Sequence, residues 1–68
     1  MKYYKYIGCP SSIIIIYKVV EYSGFRYVIK GNRILIEEQI SIERLEFLNS
    51  SDYKLISKIE FDFYLQEL

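Results

Sequence analysis

Few side chains in this protein can do chemistry, and those few are scattered. Histidine is absent from all 68 residues, which removes the usual general base, the commonest metal ligand and every Ser-His or Cys-His nucleophile pair. The single thiol stands in Cys9-Pro10-Ser11-Ser12, the C-P-x-S form of a monothiol redox motif. That chemistry needs a strand before the motif and a helix after it, whose N-terminus lowers the thiol pKa. A β-branched run follows instead, so Cys9 reads as an inert thiol in a tight turn. Glu37-Glu38 and the pair Glu60 and Asp62 are the remaining acid–base candidates. Adjacent acids on a strand point to opposite faces, and neither pair lies beside a recognisable cradle. They read as a solvated acidic surface. With no Walker loop and no G-x-G-x-x-G, the chain is read as non-enzymatic, with no catalytic residue, cofactor or metal.

Recognition chemistry is better represented. Residues 1–33 carry Lys2, Lys5, Lys18, Arg26, Lys30 and Arg33 against Glu21 alone, a net of +5. Residues 34–68 carry three cations against Glu37, Glu38, Glu43, Glu46, Asp52, Glu60, Asp62 and Glu67, a net of −5. A net charge of zero therefore hides a polarised molecule, whose asymmetry serves either a partner or internal pairing. Six of the eight tyrosines lie in the basic half. Tyrosine faces stack on bases and cations neutralise phosphates, so Tyr17, Lys30 and Arg33 form a candidate nucleic-acid or nucleotide site. The acidic half holds Phe47, Tyr53, Phe61, Phe63 and Tyr64, a combination suited to the basic groove of a nucleic-acid enzyme.

The elements that must position these residues are mostly strands. Ser12 to Glu38 reads as a three-stranded antiparallel meander with two-residue turns at Ser23-Gly24 and Gly31-Asn32. Residues flanking such turns oppose each other, which places Tyr22 opposite Phe25 and Lys30 opposite Arg33. One face then collects Ile14, Ile16, Lys18, Val20, Tyr22, Phe25, Tyr27, Ile29, Ile34, Ile36 and Glu38 as the core. The other carries three rows: Glu21, Arg26 and Glu37; Val19, Val28 and Leu35; and Tyr17, Lys30 and Arg33. The middle row is apolar, is extended by Ile13 and Ile15, and requires cover.

Lys2 to Ile7 reads as a further strand and Tyr53 to Ile56 as a short one. Ser41 to Leu48 fits a short helix or a bent strand. At Ser57-Lys58-Ile59-Glu60 a capping box opens a helix to about Leu68, although Ile59, Phe61, Phe63 and Leu65 also alternate as a strand would. As a helix the segment has two apolar stripes, Phe61, Tyr64, Leu65 and Leu68 on one side and Ile59 with Phe63 on another. The expected fold is α+β, a small antiparallel meander or an SH3-like or OB-like barrel with a C-terminal helix, with an all-β fold as the alternative.

The segment Tyr53-Lys54-Leu55-Ile56-Ser57-Lys58-Ile59-Glu60-Phe61-Asp62-Phe63-Tyr64-Leu65, an aromatic strand leading into I-S-K-x-E-[FY]-x-x-Y-L, resembles the C-terminus of small accessory proteins from phages of low-GC Gram-positive bacteria. The Ile-, Lys-, Tyr- and Asn-heavy composition is similar too. The resemblance implies a strand followed by a helix. It also implies action without catalysis, by binding a host protein, a nucleic acid or a signalling nucleotide, in some cases to disarm a defence system. It carries over no functional residue.

Half the residues are apolar in a chain of 68, and a domain of this size buries only about 60% of its unfolded surface. Without a disulfide or metal to add stability, a homo-oligomer is expected, as one domain spanning 1–68. Val19, Val28, Leu35, Phe61 and Tyr64 are the candidate protein-interface residues. A lone cysteine fits a reducing cytoplasm. The run Ile13–Tyr17 ends at Lys18, short of the roughly 20 apolar residues of a membrane span, so no membrane partner is expected. The chain is thus expected to mask a host protein, with nucleic-acid or nucleotide binding as the alternative.

Overall fold

The computed structural model describes residues 1–8, 12–31 and 33–66. Five strands form one antiparallel sheet: β1 (Lys2–Tyr6), β2 (Ile13–Val19), β3 (Ser23–Lys30), β4 (Arg33–Ser41) and β5 (Tyr53–Ile56), in the order β4-β3-β2-β1-β5. Between β4 and β5 the chain makes two 3-10 turns, Ile42–Arg44 and Glu46–Asn49, and the last described element is the helix α1 (Lys58–Gln66). The sheet does not close. β4 and β5 are separate edges, so the meander and C-terminal helix stand but the barrel expectation is corrected.

Position in the sheet explains β2. It is the central strand, and both of its faces are covered. An unbroken run of β-branched residues, Ile13-Ile14-Ile15-Ile16, suits a strand with no wet side. Ile16 is fully buried beneath α1 with Tyr3, Ile29, Ile56 and Phe61, and Ile14, Tyr27, Tyr64 and Leu65 pack around them. The opposite face forms a second core of Tyr17, Ile40, Leu45 and Leu48, flanked by Tyr4, Tyr6, Ile15, Val19, Phe47 and Tyr53. The chain between β4 and β5 runs from one sheet edge to the other and supplies Leu45, Phe47 and Leu48 to this second core. It thereby covers the part of the apolar face around Ile15, Val19 and Ile40, while Leu35 and Ile36 stay exposed.

The register differs from the expected one in two places. Val20 N–H donates to Ser23 O at 2.8 Å, so the first turn is Glu21-Tyr22 rather than Ser23-Gly24. Lys18, not Tyr22, opposes Phe25, and Tyr22 is exposed outside the core. The shift is even, so Ile14, Ile16, Phe25, Tyr27 and Ile29 still share a face. Gly24 serves the strand instead, for it lies beneath the Leu45 side chain with no room for a Cβ.

The second difference is a bulge. Lys30 opposes Arg33 as expected, across a turn in which Gly31 has φ +60°. Ile29 then opposes Ile34, but Val28 opposes Ile36, which leaves Leu35 as the extra residue. One inserted residue turns the remainder of β4 over. Ile36 and Glu38 join the face opposite the helix and Glu37 joins the helix side, the reverse of the expected arrangement.

Ser41 ends β4, and Ile42 to Leu48 forms neither α-helix nor strand but the two 3-10 turns. At Ser57 the helical alternative holds. Ser57 Oγ accepts the Glu60 N–H at 3.1 Å, a cap of the kind that contributes about 1 kcal/mol. The box is only half made, because Glu60 Oε2 accepts from the Tyr64 hydroxyl rather than reaching back.

Candidate interaction surfaces

The structure separates the basic-aromatic trio. Tyr17 is 3% exposed. It stands opposite Tyr4 on one side and Arg26 on the other. Edge-on contacts to Phe47 at 5.6 Å and Tyr53 at 5.7 Å seal it in. Lys30 and Arg33 lie at the far end of the sheet, in a row with Ile13. They line an open depression with Ser12, Ile14, Gly31 and Leu35. Two cations there can meet an anion, but among the described residues no aromatic side chain lines the depression beside them. The trio is therefore corrected: Tyr17 offers no stacking surface.

The apolar row is separated as well. Val19 opposes Gly24 and packs into the second core. Val28 opposes Ile15 and Ile36, and Leu35 sits exposed at the bulge. The cause is the same pair of register changes, and of the three only Val19 is covered by the chain's own 3-10 turns. Phe61 is 3% exposed. Its ring lies 4.7 Å from that of Tyr3 and meets that of Tyr27 edge-on at 5.8 Å. It is a core anchor, not an interface residue. Tyr64 is half-buried. Its hydroxyl accepts from Lys5 Nζ at 3.0 Å and donates to Glu60 Oε2 at 3.1 Å, linking the basic strand to the acidic helix.

The exposed apolar residues lie elsewhere. With Phe61, Tyr64 and Leu65 packed on or beside the sheet, the other stripe of α1 points outward: Ile59 is 83% and Phe63 56% exposed. They are four apart and so neighbours on one helix face. Glu60 and Asp62 lie between them in sequence, and Asp62 pairs with Lys58 at 2.7 Å. The second stripe of the sequence pattern was the signal for these two residues. A second exposed strip is on the β4 edge, where Ile34, Leu35 and Ile36 are all open to solvent. Only the bulge makes it visible, because it sends Ile34 and Ile36 to opposite faces.

Charge is little consumed internally. Among the described residues there are two ion pairs, Arg26–Glu38 and Lys58–Asp62, and only the first joins the basic half to the acidic half. Glu38 binds Arg26 Nη2, while Arg26 Nε is covered without an acceptor. Burial, and then the charge of Glu37 across the strand, raise the pKa of Tyr27. Burial chiefly, with the Tyr17 hydroxyl next, pushes Tyr53 up to about 12.

Among the described residues no three acidic or thiol side chains converge as a metal site, and no helix is long and apolar enough to cross a membrane. Cys9, Pro10 and Ser11 lie outside the described residues, so the C-P-x-S motif has no geometry here. Comparison with known protein families, with curated proteins and with solved structures finds no match.

Proposed function

We propose that this chain is a small non-enzymatic binding protein of the phage or mobile-element accessory kind. It masks a host protein, such as a defence or nucleic-acid-processing factor, in the host cytoplasm, and it works as a homo-oligomer. The observation that carries this reading is the outward stripe of α1. A helix that already buries one apolar side on its own sheet keeps Ile59 and Phe63 in water, beside the carboxylates of Glu60 and Asp62. Unpartnered apolar side chains on a rigid helix are suited to the centre of an interface. Acidic neighbours favour a basic target surface and speed its encounter.

The test is capture from a lysate of a low-GC Gram-positive host on the tagged protein, with nuclease, beside the double variant Ile59→Glu, Phe63→Glu. Both positions are exposed, so the variant keeps its fold, which circular dichroism checks. The expected result is one host protein retained by the parent and lost by the variant. Capture that nuclease abolishes, or that the variant leaves unchanged, overturns the reading.

A second reading rests on Lys30 and Arg33, which share the depression with Ser12. It is a phosphate-bearing ligand bound without base stacking. Affinity for a single-stranded oligonucleotide that falls steeply with salt, and falls again in Lys30→Ala, Arg33→Ala, is its signature. Binding insensitive to both excludes it.

A further inference from the structure

We infer that the free edge of β4 is a self-complementary interface, on which a second copy of the chain adds its own β4 antiparallel across a two-fold axis. This rests on the oligomeric part of the proposal above, and it supplies the surface, to which Leu35 alone of the Val19, Val28, Leu35 row belongs.

Four observations lead there. β4 is an edge of nine residues, with no further strand beside it among the described residues. An edge presents a row of backbone donors and acceptors ready to pair with another strand. Two of the usual deterrents are missing here: Arg33–Ser41 contains neither proline nor lysine. The bulge bends the strand, but by register it sends Ile34 to the helix face and Ile36 to the other, so both faces of the edge stay apolar. The other edge, β5, has only four residues.

Charge then selects the occupant and its direction. Arg33 stands at one end of the apolar triplet, and Glu37 and Glu38 stand at the other. An antiparallel copy that sets Arg33 against Glu38, which share a face, brings each Arg33 to the acidic end of its neighbour and sets Leu35 beside Ile36 between them. A parallel copy would set like charges together. Arg33 shares its face with Glu38, and Glu37 holds the helix face, so the acidic end offers a carboxylate on both sides. The contact is isologous, and closes at two copies.

Sedimentation velocity on the full chain at high micromolar concentration decides the matter. The parent is expected at twice the 8.2 kDa chain mass. Arg33→Glu alone, and Glu37→Lys with Glu38→Lys, each place like charges at both ends and are expected at the single-chain mass. An equimolar mixture of the two restores both attractions and is expected to return to the doubled mass. Leu35→Lys, at an exposed position, is expected to be monomeric with unchanged circular dichroism. A monomeric parent, a dimer indifferent to Arg33→Glu and Leu35→Lys, or species larger than a dimer built by β4 on β5 overturns the inference. Host-protein capture through Ile59 and Phe63 is read separately, so loss of the dimer with capture intact refutes this interface and not the masking role.

Discussion

Leu45 rests on Gly24 so closely that a Cβ at position 24 would stand 2.7 Å from Leu45 Cδ1 and 3.1 Å from Cδ2. The glycine lies in β3 between Val19 and Ile40, and its missing side chain is the recess into which the first residue after the Ile42–Arg44 turn docks. Gly24→Ala is expected to cost about 1–3 kcal/mol through overpacking, and Leu45→Ala about 2–5 kcal/mol through the cavity it leaves. The double variant should cost clearly less than the sum, because the alanine methyl at 24 enters space that Leu45 has vacated. Urea unfolding of the four proteins checks this, and strict additivity would show that the two residues do not share the site.

The bulge at Leu35 makes a second prediction. It puts Glu38, not Glu37, on the face of Arg26, where the two pair. A double-mutant cycle on Arg26 and Glu38 is expected to give a coupling of about 0.2–1 kcal/mol, as partly exposed pairs do. The matching cycle on Arg26 and Glu37 is expected to give none. The reverse outcome would restore the unbulged register.

Alkaline pH supplies a third. Tyr53 ionises near 12 when folded, against an ordinary 10, because burial and the neighbouring Tyr17 disfavour the phenolate. The unfolded chain therefore releases this proton first. Stability is fully present below pH 10 and falls as pH rises toward 12. Tyr27 shifts in the same direction, and so does Lys58, which Asp62 holds in its charged form. Tyr53→Phe isolates the first contribution. It keeps the ring against Tyr6 and Phe47, at 5.0 and 5.2 Å, and removes the proton. Urea midpoints followed up to pH 12 should fall less steeply in the variant than in the parent, and parallel curves would refute the assignment.

Much of the architecture is legible in residue patterns because the patterns have local causes. The Ile13–Ile16 run needs two covered faces, Gly31 permits the tight return that sets Lys30 against Arg33, and Ser57 caps the last helix. The two stripes of that helix were also readable, but which one faces the sheet depends on Tyr3 and Tyr27, whose rings receive Phe61. The candidate sites were less legible. The trio of Tyr17, Lys30 and Arg33 followed from a turn at Ser23-Gly24, a strong local preference that a distant requirement overrode: Leu45 needs Gly24 in the strand. The bulge at Leu35 leaves no mark in a stretch that alternates adequately either way, yet it decides which face each later residue of β4 occupies. The 3-10 turns are set by what they cover, not by their own periodicity.

The crossing from β4 to β5 also bears on the order in which the molecule can assemble. β2, β3 and β4 join through short turns and need only local closure. Tyr3 finds Ile56 only after the chain has travelled the width of the sheet and returned. The entropy of closing that long loop must be overcome before the contacts it permits exist, and such non-local pairings slow folding relative to helical chains of the same length. The meander can thus form first, with β1 pairing to β2, while the β1–β5 ladder, the capture of Tyr17 under Phe47 and the seating of Phe61 on Tyr3 come together late. Substitutions in β2 and β3 should then act mainly on the folding rate, and those in β5 and α1 mainly on the unfolding rate.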